Sequence, residues 1–347
     1  MAHEIEAQDV FGEVREHGQR AWHGLGVEIP DGLGTWEAFE QIGLGWETEL
    51  LPLFATHKVD GKQKQFRVKS HCVHVRKDTL QELGVVGSGY KPISNRTLAE
   101  FADALVEVDK KVSVETAGSL RNGRCVFGLV KLPKDIEVVD GDVLEQYILI
   151  RNSHDGSSAF QIYPTSVRVV CANTLRMSER DIARGIQFQH TGDITTKIDH
   201  ARLALGLITQ ESARFEAQVR VLAAKHLNKD EVTGYFRACY DATFGVVPDT
   251  APDDDDTKAS QRFMRQIAKR DEIIAGWENN FNNERQTITG IAGTAWAAYN
   301  AVSEYHDHQR GRFLPVAESQ GRAHSNLFGT SNQQKLVAFK KALVLAS

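Results

Sequence analysis

Between residues 152 and 158 the chain reads NSHDGSS, and Asn152, His154 and Asp155 put an amide, an imidazole and a carboxylate on one short stretch. With Cys171 and Asn173 further along, the residue types suffice for a thiol nucleophile, a general base and an orienting group, as a hydrolase or transferase uses. The same residues also make an ordinary tight turn. Asp155-Gly156 supplies the positive φ, while asparagine and serine side chains bond to nearby backbone. No G-x-S-x-G elbow accompanies them. The sequence leaves both readings open.

Other chemistry is thinner. His71-Cys72-x-His74 lies in a strand-like run, so Cys72 and His74 share a face and His71 turns away. Such a pair falls short of a tetrahedral zinc set. Glu304 and His308 present together on a helical run, but histidines near a helix end also suit the negative end of its dipole. No metal or cofactor is expected. G-x-x-x-x-G-K-[ST] is absent and no G-x-G-x-x-G follows a strand, so neither an ATPase nor a nicotinamide enzyme is expected.

A third set points to nucleic acid. Arg121 and Arg124 flank a hairpin tip, Lys131 ends its second strand, and Arg151, Arg168 and Arg176 recur along the next sheet segment. Guanidinium forks grip phosphates, and rings such as Phe160 and Tyr163 stack bases. Residues 121–184 hold nine Lys/Arg against eight acids, a balance that surface solubility also produces. The formal charge of the chain is −5, made of +5 in residues 257–347 and −10 before them. A net-acidic chain suits tight non-specific duplex binding poorly, because such binding neutralises many phosphates. A basic groove on one face is compatible with it.

The elements that must position these residues are largely readable. Ile148/Ile150, Phe160/Ile162 and Val167/Val169 alternate as half-buried strands do, on both sides of the polar turn. Asn122-Gly123 is the strongest hairpin signal. Earlier, strand-like runs at residues 47–54 and 65–75 join across Val59-Asp60-Gly61-Lys62. Residues 85–89 then lead through Tyr90-Lys91-Pro92-Ile93 to Ser94 and Asn95, caps for a helix at 98–108. Its Leu98, Phe101, Leu105 and Val108 form one apolar stripe. Residues 1–45 read as an arm and a short helix that Thr35 caps.

From about residue 195 the pattern turns helical, with helices expected at 201–224, 230–244, 258–282, 294–305 and 331–345. Four consecutive aspartates behind Pro252 cannot pack, which makes residues 247–257 an acidic linker. The fold class is α+β. A hairpin-rich antiparallel sheet with a packed helix spans 46–194, a helical segment 195–246, and a mostly helical C-terminal part 258–347.

With 41% hydrophobic and 25% charged residues, the 347-residue chain has the composition of a globular protein. No apolar run approaches the ~20 residues of a membrane helix. The polar, acid-bearing start matches neither a signal nor a transit peptide, so a cytoplasmic protein is expected. Cys72, Cys125, Cys171 and Cys239 are widely spaced and read as buried free thiols.

Several motifs together resemble the phage/plasmid-like protein family. They are AWHGLG (21–26), GSGYKPISN (87–95), SLRNGR (119–124), NSHDGSSA (152–159), VRVVCANTL (167–175), HTGDI (190–194), TAWAAYNAVSEYHDH (294–308) and SNLFGTSNQQK (325–335). That family is a domain of unknown function of bacteriophages, prophages and mobile elements. The resemblance implies a bacterial host cell and roles in replication, recombination or counter-defence. In outline the chain is also similar to phage single-strand annealing proteins, which hold single strands in rings or filaments, a likeness of fold alone.

The expectation is therefore a phage-type protein that binds single-stranded DNA as a homo-oligomer and anneals strands without ATP. Arg121, Arg124, Lys131, Arg151, Arg168 and Arg176 would hold the backbone while Phe160 or Tyr163 stacks bases. Two alternatives stand beside it. One is a structural or counter-defence protein that binds another protein through its helical C-terminal part and acidic linker. The other is the hydrolase or transferase built on Asn152, His154, Asp155, Cys171 and Asn173.

Overall fold

Successive residues of the central strands fall into different cores. Along β9 (Asp142–Ser153) and β10 (Gln161–Arg168), Ile148, Ile150 and Ile162 enter one hydrophobic cluster, while Tyr147, Leu149 and Tyr163 enter another. The period-two alternation is as expected, but these strands are not half-buried as the sequence suggested: both faces are covered by apolar clusters. The computed structural model describes residues 11–14, 27–29, 33–168, 173–176, 194–249, 257–310, 325–326 and 328–347.

In chain order the elements begin with β1 (Phe11–Val14), β2 (Val27–Ile29), α1 (Thr35–Gln41), β3 (Thr48–Val59), β4 (Lys62–Arg76), β5 (Glu82–Gly87) and α2 (Asn95–Val108). There follow β6 (Ser113–Leu120), β7 (Cys125–Lys131), β8 (Ile136–Val139), β9, β10 and β11 (Asn173–Arg176). The helical part comprises α3 (Ile194–Ala224), α4 (Lys229–Phe244), α5 (Thr257–Phe281), α6 (Ala295–Glu304), a π-turn (Tyr305–Gln309) and α7 (Thr330–Ala346). The protein is α+β.

An eight-stranded sheet runs β11-β10-β9-β7-β6-β1-β2, with β8 also on β9, and a separate three-stranded sheet runs β3-β4-β5. All pairings are antiparallel except β1 with β2. Part of the expected N-terminal arm is thus strand. Thr35 is the first helical residue and not the cap; that place is held by Gly34, whose N–H donates to Glu37 Oε2 at 3.1 Å.

The β6–β7 hairpin turns where Asn122-Gly123 required, with positive φ at Arg121, Asn122 and Gly123. Ser94 Oγ caps α2 by accepting from the Thr97 N–H at 3.1 Å, and Leu98, Phe101 and Leu105 pack on the sheet. Helix α3 joins the two halves. Ala201, Ala204 and Ile208 lie against the α2 core, and Phe215, Val219 and Leu222 enter the helical core of Trp277 and Trp296. That core is tied to the sheet where Trp296 Nε1 donates to Asp142 Oδ2 at 2.8 Å.

Beyond α6 the wider π-turn carries Asp307, which pairs with Lys335 of α7 at 2.6 Å, both side chains 1% exposed. Glu304 is buried too and accepts from Arg285 at 2.8 Å and Gln286 at 3.0 Å. Among the described residues, no helix is long and apolar enough to cross a membrane.

Candidate nucleic-acid interface

The polar turn after β9 is a seam between the two sheets. Asn152 Nδ2 donates to the Ile93 carbonyl at 2.8 Å, and Tyr90 Oη to the Ser153 carbonyl at 3.0 Å. His154 is fully buried. Its backbone N–H donates to the Arg124 carbonyl at 2.7 Å, and its carbonyl accepts from His74 Nδ1 at 2.6 Å. Its ring meets Asn95 Oδ1 at 2.9 Å, and because the Asn95 amide N–H already donates to the Leu44 carbonyl, His154 Nε2 is the donor.

Burial holds His154 neutral down to about 3, with the neighbouring His74 adding to the shift. Burial likewise lowers His74. For Asp155 burial works upward, but hydrogen bonds from Ser153 and Ser157 and the Arg121 guanidinium at 2.9 Å prevail and lower it. The sheets meet so closely that a Cβ on Gly84 of β5 would lie 2.8 Å from Asp155 Cα.

This geometry closes the imidazole off. The bonds of Asp155 go to Ser153, Ser157 and Arg121 rather than to the ring, so His154 and Asp155 form no acid–base pair. Asn173 is paired in backbone register with Arg168. Its side chain, those of Arg168 and Arg176, and the whole of Cys171 lie outside the described residues.

Of the remaining residues expected to grip DNA, Arg121, Lys131 and Arg151 are engaged with protein. Arg121 pairs with Asp155, and Lys131 pairs with Glu145 at 3.0 Å and Asp135 at 3.2 Å. Arg151 bonds to Gln161 and lies 4.4 Å over the Phe328 ring. Arg124 is half-buried. Phe160 and Tyr163 are not stacking platforms, a correction with a plain cause. Both point into cores, at 5% and 3% exposure, Phe160 edge-on to Phe101 and Tyr163 beside Phe328.

Neither metal candidate gathers a ligand set. His71 is exposed and bonded to Ser70, Cys72 is half-buried and His74 belongs to the seam. Glu304 is committed to Arg285 and Gln286, and His308 falls within the π-turn. Among the described residues, no three His, Cys, Asp or Glu side chains could hold a metal.

The unspent chemistry sits on the β3–β4 hairpin. Asp60 (φ 51°) and Gly61 (φ 77°) form its two-residue turn, the primed type that an Asp-Gly pair favours. β5 pairs only with His71 to Val75, so the seven rungs from Leu53↔Val68 to Val59↔Lys62 form a two-stranded ribbon. At ~3.4 Å per residue it reaches about 20 Å beyond the third strand.

Opposed residues share a face. Phe54, Thr56 and Lys58 line up with Gln63, Gln65 and Arg67, while Ala55, His57 and Val59 line up with Lys62, Lys64 and Phe66. Each face carries one exposed phenylalanine, Phe54 at 50% and Phe66 at 57%. Residues 54–69 hold five Lys/Arg (Lys58, Lys62, Lys64, Arg67, Lys69) and one acid, a charge of +4 in a chain of −5. All five cations are exposed, and none has an ion pair among the described residues. A charge count over this short window would have found the ribbon. Sums over longer stretches dilute it.

Fold and site together define an α+β protein with a projecting cationic ribbon. The chain belongs to the DUF932 family, a domain of unknown function, whose model matches residues 82–338. That stretch opens on the first residue of β5, so the ribbon precedes it while the central sheet lies within it. No solved structure matches the chain.

Proposed function

We propose that this protein binds single-stranded DNA through the β3–β4 ribbon, without catalysis and without ATP. The observation that carries the reading is the pairing, on each face, of an exposed phenylalanine with exposed cations that have no ion pair among the described residues. An exposed ring offers a π-face to any base, and cations alongside track the phosphates, a combination that binds without reading sequence. Exposed aromatics favour single strands over duplex, whose bases are already stacked. The motif resemblance to phage and plasmid proteins supports a reading in which this binding serves the DNA transactions of a mobile element, with strand annealing by a homo-oligomer as the proposed role.

Purified full-length protein would be titrated with a fluorescent single-stranded oligonucleotide across a salt series, with its mass in solution measured alongside. Salt-sensitive binding that weakens in Phe54→Ala/Phe66→Ala is the expected result. Absence of binding at low salt overturns the reading. Tighter binding of a duplex of the same length would replace it with groove insertion, since a two-stranded ribbon fits the major groove.

A further inference from the structure

Helix α5 carries a second cationic surface that the ribbon does not account for. Residues 258–270 contain five Lys/Arg and no acid. Arg262, Arg265 and Lys269 are spaced by three and four, so they share one face of the helix. All three are exposed, and none has an ion pair among the described residues. The opposite side is apolar: Phe263 and Trp277 are buried in the helical core, with Ile267 and Ile274 packed against it.

Several cations on other helices of this protein are neutralised within a turn. Arg202 pairs with Asp199, Arg220 with Glu216 and Arg237 with Asp241. Arg270, just off the stripe, is held by Asp249 and Asp271. On the stripe each cation instead has another cation three or four residues away, and like charges at that spacing repel. At this spacing the one acid is Glu272, three residues beyond Lys269, while in sequence Asp253 to Asp256 precede the helix. A polyanion laid along the helix would turn this repulsion into attraction.

We propose that the α5 stripe is a second phosphodiester-binding face, separate from the ribbon, so that one chain holds two DNA segments at once. This rests on the single-strand reading given above and adds to it the capacity annealing needs. Arginine forks match phosphate oxygens. At ~1.5 Å rise per residue, Arg262 to Lys269 spans about 10 Å of helix, which side chains of this length extend to neighbouring phosphates. With no aromatic side chain exposed between its three cations, this face grips backbone and leaves bases free to pair.

The test compares full-length wild type, Arg262→Gln/Arg265→Gln/Lys269→Gln, and a ribbon variant Lys58→Gln/Lys62→Gln/Lys64→Gln/Arg67→Gln. Energy transfer between two non-complementary oligonucleotides with different dyes reads joint occupancy, and a salt series on a single short oligonucleotide reads the ribbon. The α5 variant is expected to bind the single oligonucleotide within about twofold of wild type. It should lose the energy transfer and lower the salt slope on a long strand by about 2, for three phosphate contacts. Unchanged energy transfer and slope in the α5 variant, with wild-type circular dichroism, overturns this proposal and leaves ribbon binding standing. Absence of oligonucleotide binding by the wild type overturns both.

Discussion

The β3–β4 ribbon and the β6–β7/β9–β10 hairpins are built from the same materials and hold them in opposite surroundings. Both combine antiparallel strands, a turn with positive φ, phenylalanines and arginines. In the central hairpins Arg121 and Lys131 meet acids, and Phe160 is buried. On the ribbon Phe54 and Phe66 face solvent beside cations that meet no acid among the described residues. The difference comes from neighbours, not from residue type. Strands flanked by other elements must neutralise what they bury, whereas a two-stranded arm can leave its cations to water and salt and so keep them open to a ligand.

Acid is the strongest way to break the seam side of this contrast. His154 and, in the helical core, His306 are held neutral to about 3, each chiefly by burial, and His74 is lowered by burial as well. Below pH 6.5 the unfolded chain takes up protons that the folded chain refuses. Stability is therefore full above the ordinary histidine range and falls as pH drops toward 3, by up to about 1.4 kcal/mol per pH unit for each group. Urea unfolding from pH 7 to pH 4 should show this slope; a flat profile would contradict buried neutral imidazoles.

Next in size is a paired truncation. Phe160→Ala should cost about 3–5 kcal/mol of unfolding free energy. Phe66→Ala should leave stability within about 0.5 kcal/mol but weaken single-strand binding by about 1–3 kcal/mol. Equal destabilisation by both would erase the distinction between core ring and ligand ring.

The quadruple ribbon variant should lower the salt slope of binding by about 3, for four phosphate contacts, with its urea midpoint unchanged. Asp155→Ala should do the reverse: about 1–3 kcal/mol less stability, from a seam whose donors lose their acceptor, and wild-type affinity. Affinity lost in Asp155→Ala without loss of stability would move the interface to the seam.

Much of the architecture was legible because its signals are local. Asn122-Gly123 and Asp60-Gly61 announce their turns, Ser94 its helix, and the Ile/Leu alternation of β9 its two faces. Strands β1 and β2 were not, because four and three residues carry too little pattern and their pairing is set by distant partners. The π-turn has no residue signature. In sequence the polar turn reads equally as turn chemistry and as a site, since burial of His154 depends on Trp46, His74 and Asn95, all far away in the chain. The use of Arg121 and Arg151 is hidden from the sequence for the same reason: it gives their spacing, and partners such as Asp155 and Gln161 decide what they do.

The ribbon's two-residue tip has a consequence for how its length can vary. One residue added to each strand at Asp60-Gly61 would lengthen the arm by about 3.4 Å and leave every existing rung in register. One residue added to a single strand would slip the pairing and send each side chain beyond it to the opposite face. Insertions and deletions that preserve both faces therefore come in twos, and the arm behaves as a ruler whose graduations are rungs.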